Sequence, residues 1–275
     1  MARSLAVQAL ATIGKNWSKS SLTREATIQQ TRAFAQFVQE RFGLENIQNL
    51  KPGHVQAYVS DMRGHALNAG TMANRLSAIR SLAESIGKAN IVHRTNAEYG
   101  IERVRKNPVE SNQDKIAEIK ERIEAAARNG NQIAMMCSAS AALRDAFGLR
   151  AKESLMSHRV EDNRLIVEGS KGGRPRSLEI ANNDQIRAVQ YANLISQALE
   201  SGTGRIIPPN MSLKQAYDAQ KNLWSQLGGS KENKSHQHAS RHYFAQQCKG
   251  AGDSDAEIGE KLGHGREDVV GHYVP

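Results

Sequence analysis

Apolar residues recur at helical spacing along almost the whole chain, and one segment alone switches to the alternation of a strand. A period of about 3.6 marks an amphipathic helix and a period of two marks a half-buried strand. From Thr23 to Phe42 the stripe runs through Ile28, Thr31, Phe34, Phe37 and Val38 and stops at Gly43. Lys51-Pro52-Gly53 opens a second helix through Val55, Tyr58, Val59 and Met62. Asn68-Ala69-Gly70-Thr71 caps a third through Met72, Leu76, Ile79 and Leu82. The pattern fades between Lys88 and Gln113, where Asn107-Pro108 adjoins the basic run Arg103 to Lys106. It resumes through Ile116, Ile119, Ile123 and Ala126, continues as an apolar helix from Ile133 to Phe147, and returns through Ile186, Val189, Leu194, Ile195 and Leu199. Only residues 163–168 and 177–180 read as strands, flanking Gly172-Gly173 as a β-hairpin. The expectation is a mainly α fold with a small antiparallel β-sheet. It has a helical domain at 1–106, a linker at 107–113 and a second domain at 114–275.

Charge is uneven between these parts. Residues 1–112 carry 15 Lys/Arg against 8 Asp/Glu, whereas 113–275 carry 22 against 20. A basic first domain suits a polyanionic partner, nucleic acid being the usual one. The two cysteines, Cys137 and Cys248, have no metal-ligand spacing and form no disulfide framework. No apolar run has the length to span a bilayer, and the first residues lack the apolar stretch of a secretory signal. These features point to a cytoplasmic protein that uses no membrane.

The chemistry concentrates near the end of the chain. His238-Ala239-Ser240-Arg241 is followed by Leu262-Gly263-His264 and, nine positions later, by Tyr273. Arginine grips phosphate oxygens with two parallel donors, histidine donates to them or moves protons, and a tyrosine oxygen can attack phosphorus. Upstream lie Gly148-Leu149-Arg150-Ala151-Lys152-Glu153 and Ser170-Lys171-Gly172-Gly173-Arg174. In this order and spacing the five elements resemble the site of tyrosine recombinases of the phage-integrase family. The segment Thr71 to Leu82 is similar to the last helix of that family's core-binding domain, so residues 1–106 would bind DNA and 114–275 would be catalytic.

What the resemblance implies is specific. Tyr273 would attack the scissile phosphate to give a 3′-phosphotyrosine and a free 5′-hydroxyl, without metal, ATP or other cofactor. Arg150 and Arg241 would neutralise the non-bridging oxygens, and Glu153 would orient Arg150 through a salt bridge. Lys171, in the hairpin turn, would protonate the leaving oxygen. His238 would assist proton transfer at the tyrosine, and His264 would hydrogen-bond the phosphate; the neighbouring His236, His242 and His272 read as structural or solvent-facing. Arg174 and Arg176 would contact backbone phosphates, as would Arg75 and Arg80, which point away from their helix's apolar stripe. The partner is double-stranded DNA carrying specific recombination sites, with a homotetramer on the synapsed pair. The protein would be bacterial or phage-derived and associated with the nucleoid. Two other activities use the same fold: a catalytically silent DNA-binding regulator and a tyrosine-dependent DNA-relaxing topoisomerase.

Two features depart from this pattern. Many family members continue past the tyrosine into a segment that docks on a neighbouring subunit; here Val274 and Pro275 follow it. The run Ala251-Gly252-Asp253-Ser254-Asp255 is acidic, where contact with DNA favours the opposite sign.

Overall fold

The stripes read from the sequence become buried helix faces in two separate cores. The computed structural model describes residues 4–14, 21–102, 110–156, 159–169, 175–202, 205–264 and 267–274. The chain divides into two units, Met1–Arg105 and Lys106–Pro275.

In the first unit, α1 (Leu5–Ile13), α2 (Ser21–Phe42), α3 (Pro52–Gly64) and α4 (Ala69–Ser85) are followed by short 3-10 turns at Ala89–Ile91 and Ala97–Tyr99. Pro52 sits in the first turn of α3, where its missing N–H costs nothing. Asn68 caps α4 by accepting the Thr71 amide at 2.8 Å. Phe34, Val38, Val55, Val59, Met62, Leu76, Ile79 and Leu82 share one core, which Leu5 and Ala9 of the unanticipated α1 complete.

The second unit is built around α6 (Gln132–Phe147), which follows α5 (Gln113–Arg128). Met136, Cys137, Ala139, Leu143 and Phe147 of α6 are all buried. A helix buried around most of its girth needs partners on several sides. Those are α5, α7 (Ala151–Met156), α8 (Asn183–Ala198), α9 (Leu213–Gln226) and α10 (Ala239–Gly250). Of the segment expected as a linker, 107–109 lie outside the described residues, as does the basic run 103–106; Gln113 already begins α5, with Asn112 as its cap.

Between α7 and α8 lies an antiparallel sheet of β1 (Val160–Glu161), β2 (Arg164–Val167) and β3 (Arg176–Glu179), in the order β1-β2-β3. Leu165 faces Leu178 and Val167 faces Arg176, so Leu165, Val167 and Leu178 enter the core from alternate positions. The expected hairpin gains a third strand because Asp162 and Asn163 take φ of 48° and 58°. That two-residue left-handed turn suits a tight hairpin. The turn joining β2 to β3, residues 170–174, lies outside the described residues.

On α8 the buried face runs through Ala188, Val189, Ala192 and Ile195; Ile186 and Leu194, read into the stripe from the sequence, fall off that face and are exposed. The chain closes with α11 (Asp255–Leu262) and a 3-10 helix at Glu267–His272. The acidic run before α11 has a local explanation. Ser254 caps the helix, Asp255 pairs with Lys249 at 2.7 Å, and Asp253 pairs with Lys261. Among the described residues, no helix is long and apolar enough to cross a membrane.

Candidate active site

Two helix ends and one buried arginine make the frame. Gly148 ends α6 in the left-handed region (φ 63°), and Gly263 ends α11 in the same way (φ 65°). A Cβ on Gly148 would meet Phe244 Cδ1 at 2.4 Å, so glycine is required there for packing as well as for φ. Each turn exposes a backbone carbonyl, and Arg241 of α10 takes both. Its Nη1 donates to Gly148 O and its Nη2 to Leu262 O. The Gly148-Leu149-Arg150 and Leu262-Gly263-His264 motifs are thereby tied to the H-x-x-R motif by one side chain, itself 1 % exposed.

Arg150 follows directly from the first turn and is oriented by Glu153. The carboxylate accepts the Arg150 amide at 2.9 Å and Arg150 Nη1 at 2.6 Å. Arg176 of β3 also reaches it, with Nη2 at 3.1 Å, while Arg176 Nε donates to Lys261 O at 2.9 Å. Glu153 is 0 % exposed. Burial works to raise its pKa, but the Arg176 charge and hydrogen bond, the Arg150 amide and the Arg150 charge override it and hold the carboxyl at about 2.

Tyr273 packs in a satellite core with Ala245, Ile258, Leu262, Val270 and Val274, which leaves it 7 % exposed. Its hydroxyl lies 3.3 Å from His238 Nε2. The His264 ring centroid is 5.2 Å from that of Tyr273, and the Arg241 guanidinium carbon sits 5.6 Å from the tyrosine ring centroid. His264 Nε2 is 3.2 Å from Arg241 Nη2.

The field at this place is positive. Burial and then Arg150 hold Arg241 down to about 10. Burial, followed by Arg241 and Arg150, lowers His264 to about 4. His238 keeps a solvent-exposed edge, yet the protein packed around its ring, then Arg241 and the neighbouring His242 and His236, lower it to about 3. Both imidazoles are therefore neutral at pH 7, and the same burial and positive charge oppose their protonation.

Arg150, Glu153, His238, Arg241, His264 and Tyr273 are thus gathered in one place, although they are scattered over 124 positions of sequence. Lys171 and Arg174 lie outside the described residues. Arg176, expected on phosphate, has its guanidinium turned inward to Glu153. In the first unit Arg75 Nη1 donates to the Tyr58 hydroxyl at 3.0 Å, and Arg80 donates to His93 O at 2.8 Å and Asn96 Oδ1 at 2.9 Å.

Sequence reasoning set His242 aside, and the structure places it in the nest: its ring centroid is 4.6 Å from that of Tyr273, tilted 30°. The available signal was its position one helical turn after His238, on the same face of α10. Arg144, buried in α6 beside this region, left no signal at all.

Residues 109–247 match the family described as integrase, and residues 3–92 match that described as phage integrase, N-terminal. Among curated proteins, none matches the sequence. Among solved structures, the chain is similar to XerH site-specific recombinase bound to palindromic difH substrate in a post-cleavage complex. That similarity has 18% identity and a TM-score of 0.68, and covers 98% of this chain and 80% of that one. A lambda integrase tetramer bound to a Holliday junction is similar at 14% identity and a TM-score of 0.67, over 98% of this chain and 76% of that one. The Tn1549 transposon integrase in complex with transposon right end DNA is similar at 15% identity and a TM-score of 0.64, over 99% and 95%.

Proposed function

This chain belongs to the integrase family, the tyrosine recombinases, and from that premise we propose that it is a site-specific recombinase that cuts and rejoins duplex DNA through Tyr273. The observation that carries the reading is the Tyr273 hydroxyl 3.3 Å from a neutral His238 imidazole, with Arg241 against the same ring. The phenol proton passes to His238 as the oxygen bonds to phosphorus. The bond to the 5′-oxygen breaks, and Lys171 supplies the proton that this oxygen needs. Arg150, Arg241 and His264 meet the charge that builds on the non-bridging oxygens, in a site shielded enough for those donors to count.

The phosphate has a further effect. Burial is the larger cause of the depressed His238 pKa, but the phosphate's negative charge offsets the Arg241 and Arg150 part of it, so the imidazole becomes a better base once DNA is bound. The phosphotyrosine ester keeps the energy of the broken bond, and a 5′-hydroxyl from a second duplex can reverse the step without ATP. The positive charge comes from side chains, so the chemistry requires no metal ion. Arg174 in the hairpin turn and Arg75 and Arg80 in the basic first unit contact backbone phosphates. Arg176 has a different task, holding the carboxylate that orients Arg150. Lambda integrase binds a Holliday junction as a tetramer. The same arrangement for this chain puts four protomers on two paired sites, acting on DNA in the cytoplasm.

The test is covalent capture. A nicked suicide duplex incubated with wild-type protein gives a protein–DNA adduct on a denaturing gel, and Tyr273→Phe gives none while binding DNA with similar affinity. An adduct of equal yield from Tyr273→Phe assigns the nucleophile elsewhere and ends the proposal.

A further inference from the structure

Arg144 is among the largest side chains fully sealed inside the protein, at 1 % exposure, and the chemistry described above does not use it. It lies in the last turn of α6, six residues before Arg150. Among the described residues no carboxylate pairs with it. The adjacent Asp145 is paired with Lys120. The guanidinium instead spends its donors on backbone carbonyls. Nη1 donates to Gln237 O at 3.0 Å and Nε to Ser140 O at 3.4 Å, while the group lies 5.1 Å from the Trp224 ring centroid. A buried cation whose hydrogen bonds all go to neutral carbonyls is hard to justify by stability, since an apolar side chain of similar volume avoids its desolvation.

The carbonyl that Arg144 holds belongs to the residue before His238. His238 begins α10 without a side-chain cap, so the start of that helix is not set by its own first residue. The preceding loop is set from outside. Trp224 Nε1 of α9 donates to Ser235 O at 2.7 Å, and Gln237 Nε2 donates to Gln220 O at 3.0 Å. Arg144 adds the contact nearest the imidazole. One residue later the His238 ring meets the Tyr273 hydroxyl.

We infer that Arg144 is a positioning residue for His238: by holding the Gln237 carbonyl it sets where the imidazole meets the tyrosine. The inference rests on the reading of Tyr273 and His238 given under Proposed function. The test uses the full chain carrying Arg144→Met or Arg144→Lys, each with His238 intact and with His238→Ala. Adduct formation on the nicked duplex, duplex affinity and the NMR signal of the His238 ring are measured together. With His238 intact, Arg144→Met slows adduct formation by about tenfold or more and leaves DNA affinity unchanged, and Arg144→Lys recovers part of the rate. On the His238→Ala background the same change adds less than about twofold, because residues acting through one group are not additive. The His238 ring signal moves in Arg144→Met and partly returns in Arg144→Lys.

A wild-type rate in Arg144→Met overturns the inference, as does an equal loss on both backgrounds, which is what general weakening of the fold produces. Should Arg144→Met not fold, Arg144→Gln, too short to hold the Gln237 carbonyl, takes its place: an unmoved His238 signal with an unchanged rate overturns the inference. If wild type itself forms no adduct, the proposed function fails, and the ring signal still decides whether Arg144 sets the position of His238.

Discussion

Glu153→Gln tests a fully buried carboxylate held between two arginines. The carboxylate accepts from the Arg150 amide, Arg150 Nη1 and Arg176 Nη2, and is 0 % exposed. Burial works to raise its pKa, but the two arginines and the amide hold it at about 2, against an ordinary 4.5. That difference corresponds to about 3 kcal/mol of stability at neutral pH. Because the folded value is depressed, the contribution is complete above pH 4.5 and drains as pH falls toward 2. Near pH 3.5 about 2 kcal/mol of it remains. Glutamine keeps the shape but removes the charge, leaving two guanidinium groups opposite an amide, and breaking a buried pair in this way costs about 3–5 kcal/mol. The assay is urea unfolding followed by Trp224 fluorescence. Trp224 is buried in the second unit, and Trp17→Phe makes it the sole indole. The expected gap between Glu153 and Glu153→Gln is about 3 kcal/mol at pH 7, narrowing to about 2 near pH 3.5. A gap under about 1 kcal/mol at pH 7, or one that widens on acidification, refutes the reasoning.

Two further outcomes follow from the site. Lys171→Ala should cleave ordinary DNA very slowly yet cleave a 5′-bridging phosphorothioate near the wild-type rate, because a thiolate leaves with little protonation. Arg150→Ala and Arg241→Ala should gain nothing from sulfur; rescue of Lys152→Ala or Arg174→Ala instead of Lys171→Ala moves the acid role to that residue. Gly148→Ala forces a Cβ to 2.4 Å from Phe244 at a φ of 63°, whereas Gly130→Ala, at a φ of 79°, meets nothing within 4 Å. The first should lose about 2–4 kcal/mol in urea unfolding and the second about 1. Equal losses would mean that packing against Phe244 does not matter.

The elements that local chemistry dictates were open to reading from the chain alone. The stripes of α2 to α6 follow from side-chain spacing, and the cap at Asn68 and the stop at Gly43 from residue types that satisfy helix ends. The order of the motifs, through its resemblance to the tyrosine recombinases, pointed to Arg150, His238, Arg241, His264 and Tyr273, residue types that suit phosphoryl chemistry. What distant packing decides was not readable. Arg176 looks in sequence like a turn arginine free to meet phosphate, yet it turns inward because Glu153, 23 positions away, is buried beside it. The Asp162-Asn163 turn pairs Val160 with Leu165, whose side chain is buried in the core of the second unit. Nothing in the sequence singles out Arg144, whose guanidinium reaches a carbonyl 93 positions away, and Arg241 joins carbonyls 93 and 21 positions away. Sequence specifies that a charge is present; which partner it meets, and how far from water, is a property of the chain folded back on itself.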